Sequence, residues 1–448
     1  MGRDVRNDDV GPRTGDTIGG AARAARSVGV RRLAKEGLVV GAGQALVVAG
    51  RFATLWWLTR LLDPMAFGEV ALIQGVAALG FGVLCGSLLQ AGLRFHAEAA
   101  NDGNEQGLRA LLRPLVMRSA WITTGVLAAG SVVFKLTSSS TVSPLALAAG
   151  LLVIVPDAVR WYEMMILNAA RRQSAYVAWN VADALARPLG VGAAISLFGR
   201  SPAAALAGFC VAAVAVNRVC ARLLVSDRSD GEGAATPPET RKRILRFAAP
   251  LVPLAIMSWI VGLADRYVLA VTAGAGAAGL YAAVYGVGSQ GFLALGTVGL
   301  TVFRPLYFTA VDAQDARRGR RVLGAWLAAM TGGSVAGIAA LVLFGRPLAR
   351  ICLGPEFQSG ASLLPWIGAA YALQTLQTVF EVLLYAKHRT APLLRVQLAG
   401  AVTALMLYTV LIPRYGAFGA VLATMGSFAV SCVLAAAFGG LVGALRRV

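Results

Sequence analysis

The feature that most constrains this chain is a series of long apolar stretches that recur along its whole length. About 20 apolar residues in a helix cross a bilayer, because a hydrocarbon core of about 30 Å is covered at about 1.5 Å per residue. The sequence has twelve such stretches, and it therefore predicts an all-α integral membrane protein with about 12 transmembrane helices. The predicted spans are 38–60, 68–93, 114–134, 144–166, 175–198, 202–225, 246–270, 278–303, 322–344, 362–385, 393–412 and 416–443.

The overall composition agrees with this prediction. Hydrophobic residues make up 57% of the 448 residues and charged residues 14%, whereas an ordinary soluble chain has about 45–50% and about 25%. These values exclude a soluble multidomain enzyme, a disordered protein and a secreted disulfide scaffold. The five cysteines have no CxxC spacing, and the two histidines are too few for a metal cluster. We therefore expect no metal site and no cofactor.

The formal net charge of +19 is explained by membrane topology. Of the 41 Lys and Arg residues, 32 fall in the two terminal segments and in every second loop between the predicted spans. Loops rich in Lys and Arg stay in the cytoplasm. The charge pattern thus predicts an even number of spans with both termini cytoplasmic, and no nucleic-acid partner is needed to explain it.

The two halves of the sequence resemble each other at a nearly constant offset. Shifting 68–89 by 211 positions aligns it with 279–300 and gives eight identities in 22 positions, among them Gly68 with Gly279. A shift of 216 aligns 170–175 with 386–391. A displacement of six spans keeps the chain direction, so the repeat predicts two parallel six-helix lobes around a central cavity. The predicted divisions are a basic cytoplasmic tail (1–37), a first lobe (38–225), a flexible cytoplasmic linker (226–245) and a second lobe (246–448).

Charged residues inside the spans are the candidates for function. A charge in the hydrocarbon core costs about 2.5–3.5 kcal/mol on insertion scales, so it normally faces a cavity or a partner. Arg51 lies near the middle of the first span with no acid nearby on its own helix, which predicts that it lines a cavity. The other basic candidates are Arg94, Arg187 and Arg266, and the acidic ones are Asp157, Asp183, Asp265 and Glu381.

Some of these residues have an equally good structural interpretation. Asp183 and Arg187 are four residues apart and could form a closed ion pair that only stabilises their helix. Asp265 and Arg266 could lie near the outer interface, where charge costs less. Arg94, at the cytoplasmic end of the second span, could be an anchor that extends to the headgroups.

Several segments, in order along the chain, resemble motifs of a known transporter family. They are L-L-D-P-M-A-F-G at 61–68, A-D-R-Y-V-L-A at 264–270, A-A-G-L-Y-A-A at 277–283, L-G-P-E-F at 353–357 and I-P-R-Y-G-A-F-G-A at 412–420. Together they resemble Wzx-like polysaccharide and O-antigen flippases of the multidrug/oligosaccharidyl-lipid/polysaccharide (MOP) exporter superfamily.

The resemblance implies a MATE-like pair of six-helix lobes in a bacterial inner membrane. It implies alternating access, coupled to an ion gradient, that moves undecaprenyl-diphosphate-linked repeat units from the inner to the outer leaflet without enzymatic activity. Membrane lipid, a polysaccharide polymerase and a co-polymerase are the implied partners. The implied substrate-binding residues are Arg51 and Arg266, with Arg187 and Arg94 as further candidates, and Asp157, Asp183, Asp265 and Glu381 are the candidate proton or sodium sites.

Two alternatives remain open at this stage. A MATE-like drug or cation antiporter is favoured if the acids dominate the cavity. A membrane glycosyltransferase or polysaccharide polymerase would be expected to carry a sizeable loop outside the membrane with acids or histidines for acid–base chemistry. The outward loops of this sequence are short, which favours a transporter.

Overall fold

The computed structural model describes residues 41–137, 143–224, 238–386 and 390–439. These ranges are helical almost throughout. A first helix, α1, covers 41–61. The helices that follow are α2 Pro64–Gly80, α3 Ser87–Asn101, α4 Glu105–Thr137, α5 Pro144–Leu152, α6 Ile154–Ala169, α7 Gln173–Phe198, α8 Pro202–Leu224, α9 Pro238–Ala248, α10 Leu251–Asp312, α11 Ala316–Cys352, α12 Leu364–Ala386 and α13 Thr390–Gly439, with a π-helical segment at Phe81–Gly86 and a 3₁₀ segment at Pro355–Leu363.

The described residues contain the predicted number of membrane-length helices. Nine ranges are long and apolar enough to cross a membrane. Two of them hold two membrane-length helices each, because the helical backbone is interrupted at Gly274 (φ 87°) in α10 and at Gly416 (φ 55°) in α13. Glycine adopts positive φ without a steric cost, so each serves as a turn between two spans. With α1 the described part of the chain has twelve, and the protein is a multi-pass membrane protein.

Two of the spans bend within the membrane. The second span changes from α2 to α3 through the π-helical turn at Phe81–Gly86. The fourth span breaks between Leu152, the last residue of α5, and Ile154, the first of α6. Pro156 explains this break, because proline has no N–H to donate to residue 152 and its ring collides with that carbonyl group.

The predicted internal repeat has a direct structural counterpart where α2 meets the second helix of α10. A Cβ at Gly68 would overlap the carbonyl oxygen of Ala275, and one at Gly279 would overlap that of Pro64. The aligned glycines Gly68 and Gly279 therefore let the two helices cross at backbone contact. The fold thus consists of two pseudo-symmetric six-helix lobes, while their exact boundaries stay a prediction.

The two halves of the chain close together at the ends of the spans that lie opposite the basic loops. There the Gly354 N–H donates to the Thr59 hydroxyl over 3.0 Å, and the rings of Phe67 and Phe357 meet edge to face at 5.4 Å. The main hydrophobic core continues across both halves. At the other end, which we call the basic side, a cleft of about 710 Å³ lies between the halves, with Arg94, Phe247 and Tyr385 in its lining.

The predicted linker 226–245 ends in a helix. Its last residues belong to helix α9, which begins at Pro238. Ile244 is completely buried in a hydrophobic cluster that includes residues of α3, α4 and α6, and Arg243 pairs with Glu98 at 2.8 Å. Helix α9 has apolar residues on one face, which pack against the protein. The sequence prediction missed this helix because residues 226–240 are mostly polar. The rest of the linker and the predicted tail 1–37 lie outside the described residues.

Candidate functional site

A cavity of about 390 Å³ within the first half of the chain collects half of the predicted charged residues. Five helices contribute to it: α1, α2, α6, α7 and α8. Its polar and aromatic lining consists of Arg51, Thr54, Phe67, Gln74, Asp157, Arg160, Trp161, Asn180, Asp183, Arg187 and Phe209.

Two arginines and two aspartates of this cavity form one ion-pair network. Arg187 donates to Asp157 Oδ1 from Nη2 at 2.6 Å and to Asp183 Oδ2 from Nε at 2.9 Å. Arg160 lies 3.6 Å from the same two carboxylates. Spacings of three and four residues place the local partners on one face of α6 and of α7, and the network joins these helices. Its two positive and two negative charges cancel.

Arg51 reaches the same cavity from α1 and stays outside the network. No ion pair within the described ranges includes its guanidinium group. The charged lining therefore consists of three arginines and two aspartates, which leaves the cavity with one excess positive charge. A cation at this depth is stabilised by water in a cavity or by a ligand of opposite charge.

Neutral polar and aromatic groups surround this charge. Gln74 from α2 and Asn180 from α7 bring amide groups, and Trp161 from α6 brings an indole that is 39% exposed. The Arg160 guanidinium carbon lies 4.7 Å from the Trp161 ring centre, within cation–π range. A cavity with a cation, amides and an open aromatic ring can hold an anionic group that carries hydroxyl-rich substituents.

Gln74, Arg160 and Trp161 are among the lining residues that the predicted site did not include. Gln74 had a usable signal, since it is an isolated amide in an otherwise apolar stretch. Arg160 lies three residues after Asp157 and could have been paired with it from spacing alone. Trp161 had no such signal, because only the packing decides whether a membrane tryptophan faces lipid or a cavity.

In the second half of the chain, a buried aspartate is bonded by neutral donors instead of arginine side chains. Asp265 of α10 is completely buried. The Tyr281 hydroxyl donates to its Oδ2 at 2.6 Å, and the Arg266 backbone N–H donates to its Oδ1 at 2.8 Å. Asp265 therefore lies inside the protein among helices. Neutral hydrogen-bond donors compensate its burial.

Further tyrosines extend this polar cluster. The Tyr371 hydroxyl donates to that of Tyr285 at 2.6 Å, and the Tyr408 hydroxyl lies 3.0 Å from the carbonyl oxygen of Val261. The Arg266 guanidinium carbon lies 5.0 Å from the Tyr285 ring centre. The Nε of Arg266 is buried and donates to no group in the described part of the chain. Arg266 thus stacks on an aromatic ring within the second half.

The two remaining candidates lie elsewhere. Glu381 of α12 accepts from the Gln377 and Gln397 side chains at 2.8 and 3.0 Å. Arg94 lines the cleft on the basic side together with Ser87 and Gln90 of the same helix. Four of the eight predicted residues therefore share one cavity, and the binding and coupling roles of all eight stay predictions. Among the residues that the structure covers, no group of three His, Cys, Asp or Glu side chains is arranged for a metal ion.

The architecture is similar to that of several solved transporters. An inward-facing multidrug resistance MATE family transporter of the MOP superfamily superimposes with a TM-score of 0.68 and 14% identity, over 90% of this chain and 96% of that one. Lipid II flippase MurJ in an inward closed conformation superimposes with a TM-score of 0.69 and 11% identity, over 90% of this chain and 87% of that one. A third match is a MOP superfamily transporter from Pyrococcus furiosus, which is described by the reverse polarity of its binding pocket. It superimposes with a TM-score of 0.65 and 14% identity, over 92% of this chain and 94% of that one. The fold is therefore that of the MOP superfamily.

The sequence itself defines the family. Residues 33–306, more than half of the chain, match the polysaccharide biosynthesis protein family. The chain belongs to this family, as the resemblance of its motifs predicted. No curated protein matches the sequence.

Proposed function

We propose that this protein is a flippase for undecaprenyl-diphosphate-linked polysaccharide repeat units. The observation that carries the proposal is the excess positive charge of the first-half cavity, where Arg51 stands beside an ion-pair network that is already neutral. An arginine held in this way selects for an anionic ligand. Membership of a polysaccharide biosynthesis family makes a sugar-bearing lipid diphosphate the fitting anion.

The chemistry of the lining matches the two parts of such a head group. A guanidinium group binds phosphate oxygens through parallel N–H donors, which a point charge cannot do. The amides of Gln74 and Asn180 can exchange hydrogen bonds with sugar hydroxyls, and Trp161 offers an apolar ring face. We assign the diphosphate to Arg51 and the first sugars to these three residues.

The closure pattern supports loading from the basic side. The halves meet tightly around Gly68 and Gly279 at one end and enclose the cleft with Arg94 at the other. We take the basic side as cytoplasmic because loops rich in Lys and Arg stay there. In this assignment the protein lies in a bacterial inner membrane, and Arg94 is the first cation that an incoming diphosphate meets.

Ion coupling is assigned to the second half. Asp157 and Asp183 are held by arginines, so releasing them would break strong ion pairs. Asp265 is held by a hydroxyl and a backbone N–H, and it can take up a proton without losing an ionic partner. Glu381, bonded to two glutamine amides, is the second candidate. An Asp265→Asn variant should transport at a rate independent of the proton or sodium gradient, while Asp183→Asn should keep that dependence. Gradient-dependent transport by Asp265→Asn would refute this assignment.

The alternatives are less consistent with the site. A drug or cation antiporter needs a cavity with excess negative charge, and the balance here has the opposite sign. A polymerase or glycosyltransferase needs a positioned acid and base, whereas the cavity aspartates are ion-paired. In this proposal, separate polymerase and co-polymerase proteins use the repeat unit after this protein has moved it to the outer leaflet.

The deciding experiment measures where the lipid-linked repeat unit accumulates. In the natural host, deletion of the gene should leave undecaprenyl-linked repeat units on the inner leaflet and remove the surface polymer, and the wild-type gene should restore it. A strain that lacks the polymerase instead should accumulate the same lipid on the outer leaflet and serves as the control. Normal surface polymer after deletion, or no lipid-linked intermediate, would overturn the proposal.

A further inference from the structure

A groove on the outer surface of the first half lies between α6 and α8. It has a volume of about 360 Å³, and its lining consists of Val155, Pro156, Val159, Val214, Asn217, Arg218, Ala221 and Arg222. Helix α6 presents Asp157 to the charged cavity and Val159 to this groove. The groove is therefore separate from the proposed substrate site and lies behind it.

The exposed residues of α8 show that the groove faces lipid. Val211 is 66% and Val214 36% exposed, and Arg218 and Arg222 are exposed as well. These positions recur at helical spacing, so they form one stripe along α8. Because the helix crosses a membrane, this stripe contacts acyl chains at its valines and the headgroup region at its arginines.

The two arginines lie close to the end of the helix on the basic side. Arg218 and Arg222 follow Pro202, the first residue of α8 at its opposite end, by 16 and 20 residues, or about 24 and 30 Å along the axis, where a hydrocarbon core is about 30 Å thick. They are one turn apart. The ion pairs formed within the described ranges do not include either residue. Two guanidinium groups thus stand at headgroup depth beside an apolar channel.

The floor of the groove is held in place by a buried amide. Asn217 is 7% exposed, and its Nδ2 donates to the carbonyl oxygen of Pro156 at 2.7 Å. This bond ties α8 to α6 where α6 has lost a backbone donor to proline. The small side chain of Ala221 keeps the space between the helices open. The groove is consequently built into the packing of the first half.

We propose that this groove binds one anionic phospholipid from the leaflet on the basic side. An acyl chain lies along Val155 and Val214, and the phosphate lies between Arg218 and Arg222. Guanidinium groups bind phosphate oxygens through paired N–H donors, and basic pockets between transmembrane helices bind acidic lipid head groups. A zwitterionic lipid would bring an ammonium group next to the same arginines, so net negative charge decides the preference. The proposal does not depend on the transported substrate.

The test is a lipid titration of the intact purified protein followed by native mass spectrometry. Phosphatidylglycerol is compared with phosphatidylcholine of the same acyl chains. The Arg218→Gln/Arg222→Gln variant should bind phosphatidylglycerol about tenfold more weakly or worse, and phosphatidylcholine as before. Arg317→Gln/Arg321→Gln is the matched control, because it removes two exposed arginines of the same spacing from the basic end of α11. Its affinity for phosphatidylglycerol should equal that of the wild type.

A second variant separates the groove from general surface charge. Ala221→Phe fills the groove and keeps both arginines, so it should weaken phosphatidylglycerol binding to a similar extent. Equal losses in the two arginine variants would overturn the proposal, and so would normal affinity in Ala221→Phe. If Arg218→Gln/Arg222→Gln does not yield folded protein by size-exclusion chromatography, the Ala221→Phe titration decides alone.

Discussion

The two halves of this molecule derive from one repeat but stabilise charge inside the membrane in different ways. In the first half, Asp157 and Asp183 pair with arginines in a network that borders a cavity. In the second, Asp265 has no exposed surface and is held by a tyrosine hydroxyl and a backbone N–H. Guanidinium partners balance a buried carboxylate with full positive charges, whereas a hydroxyl and a backbone N–H balance it with dipoles alone. This difference is the basis on which we propose the first half for the anionic ligand and the second half for the coupling cation.

The largest effect is expected where the first-half network is broken. Arg187→Ala removes the shortest ion pairs and leaves two partly buried carboxylates with only the 3.6 Å contacts to Arg160. We expect the free energy of unfolding to fall by about 3–5 kcal/mol, measured by chemical denaturation in detergent. Adding Asp183→Asn to Arg187→Ala should recover part of the loss, since one uncompensated charge disappears. A loss below about 1 kcal/mol would contradict the network.

Arg51 should show the opposite behaviour, with a loss of transport and no loss of stability. Arg51→Gln removes the excess charge of the cavity, and its guanidinium takes part in none of the described ion pairs. We expect transport of the lipid-linked repeat unit to fall about 30-fold, the equivalent of about 2 kcal/mol of a charged hydrogen bond. The measurement is the translocation rate in reconstituted vesicles. Arg51→Lys keeps the charge and should retain intermediate activity, and an unchanged rate in Arg51→Gln would exclude the binding role.

Removing a donor from Asp265 tests the second half. Tyr281→Phe deletes the hydroxyl that lies 2.6 Å from the buried carboxylate, and we expect a loss of about 1.5 kcal/mol in unfolding free energy. Tyr285→Phe is the control, because its hydroxyl is bonded to the neutral Tyr371 hydroxyl. It should cost less. Equal losses of unfolding free energy in the two variants would show that the Tyr281 bond to the Asp265 carboxylate contributes no more than a bond between two neutral hydroxyls.

The smallest effect concerns the outer part of the tyrosine cluster. Thr424→Val keeps the shape of the side chain but removes the hydroxyl 3.2 Å from that of Tyr408. We expect a loss of about 0.5–1 kcal/mol. Thr54→Val in the first half is the matched variant, since the Thr54 hydroxyl donates only to the carbonyl oxygen of Gly50 in its own helix, and it should cost less still. A larger loss in Thr54→Val would reverse the comparison.

Much of the fold follows from the sequence because the bilayer imposes it. A membrane span needs a minimum apolar length and satisfied backbone groups, so hydropathy predicted the twelve helices. The repeat predicted the correspondence of Gly68 and Gly279, which proved to be a backbone contact. The Asp183–Arg187 pair was also within reach, because residues four apart share a helix face.

The partners between helices depended on the tertiary structure. Helical periodicity places Asp157 on one face of α6, but only the rotation of α6 against α7 brings it to within 2.6 Å of Arg187. Packing also brought Arg51 into that cavity and, within the second half, stacked Arg266 on Tyr285 and buried Asp265 beside Tyr281. Sequence alone determined which residues must avoid lipid. The mutual orientation of the helices decided which of them meet, since a sequence encodes the faces of each helix far more directly than the contacts between helices.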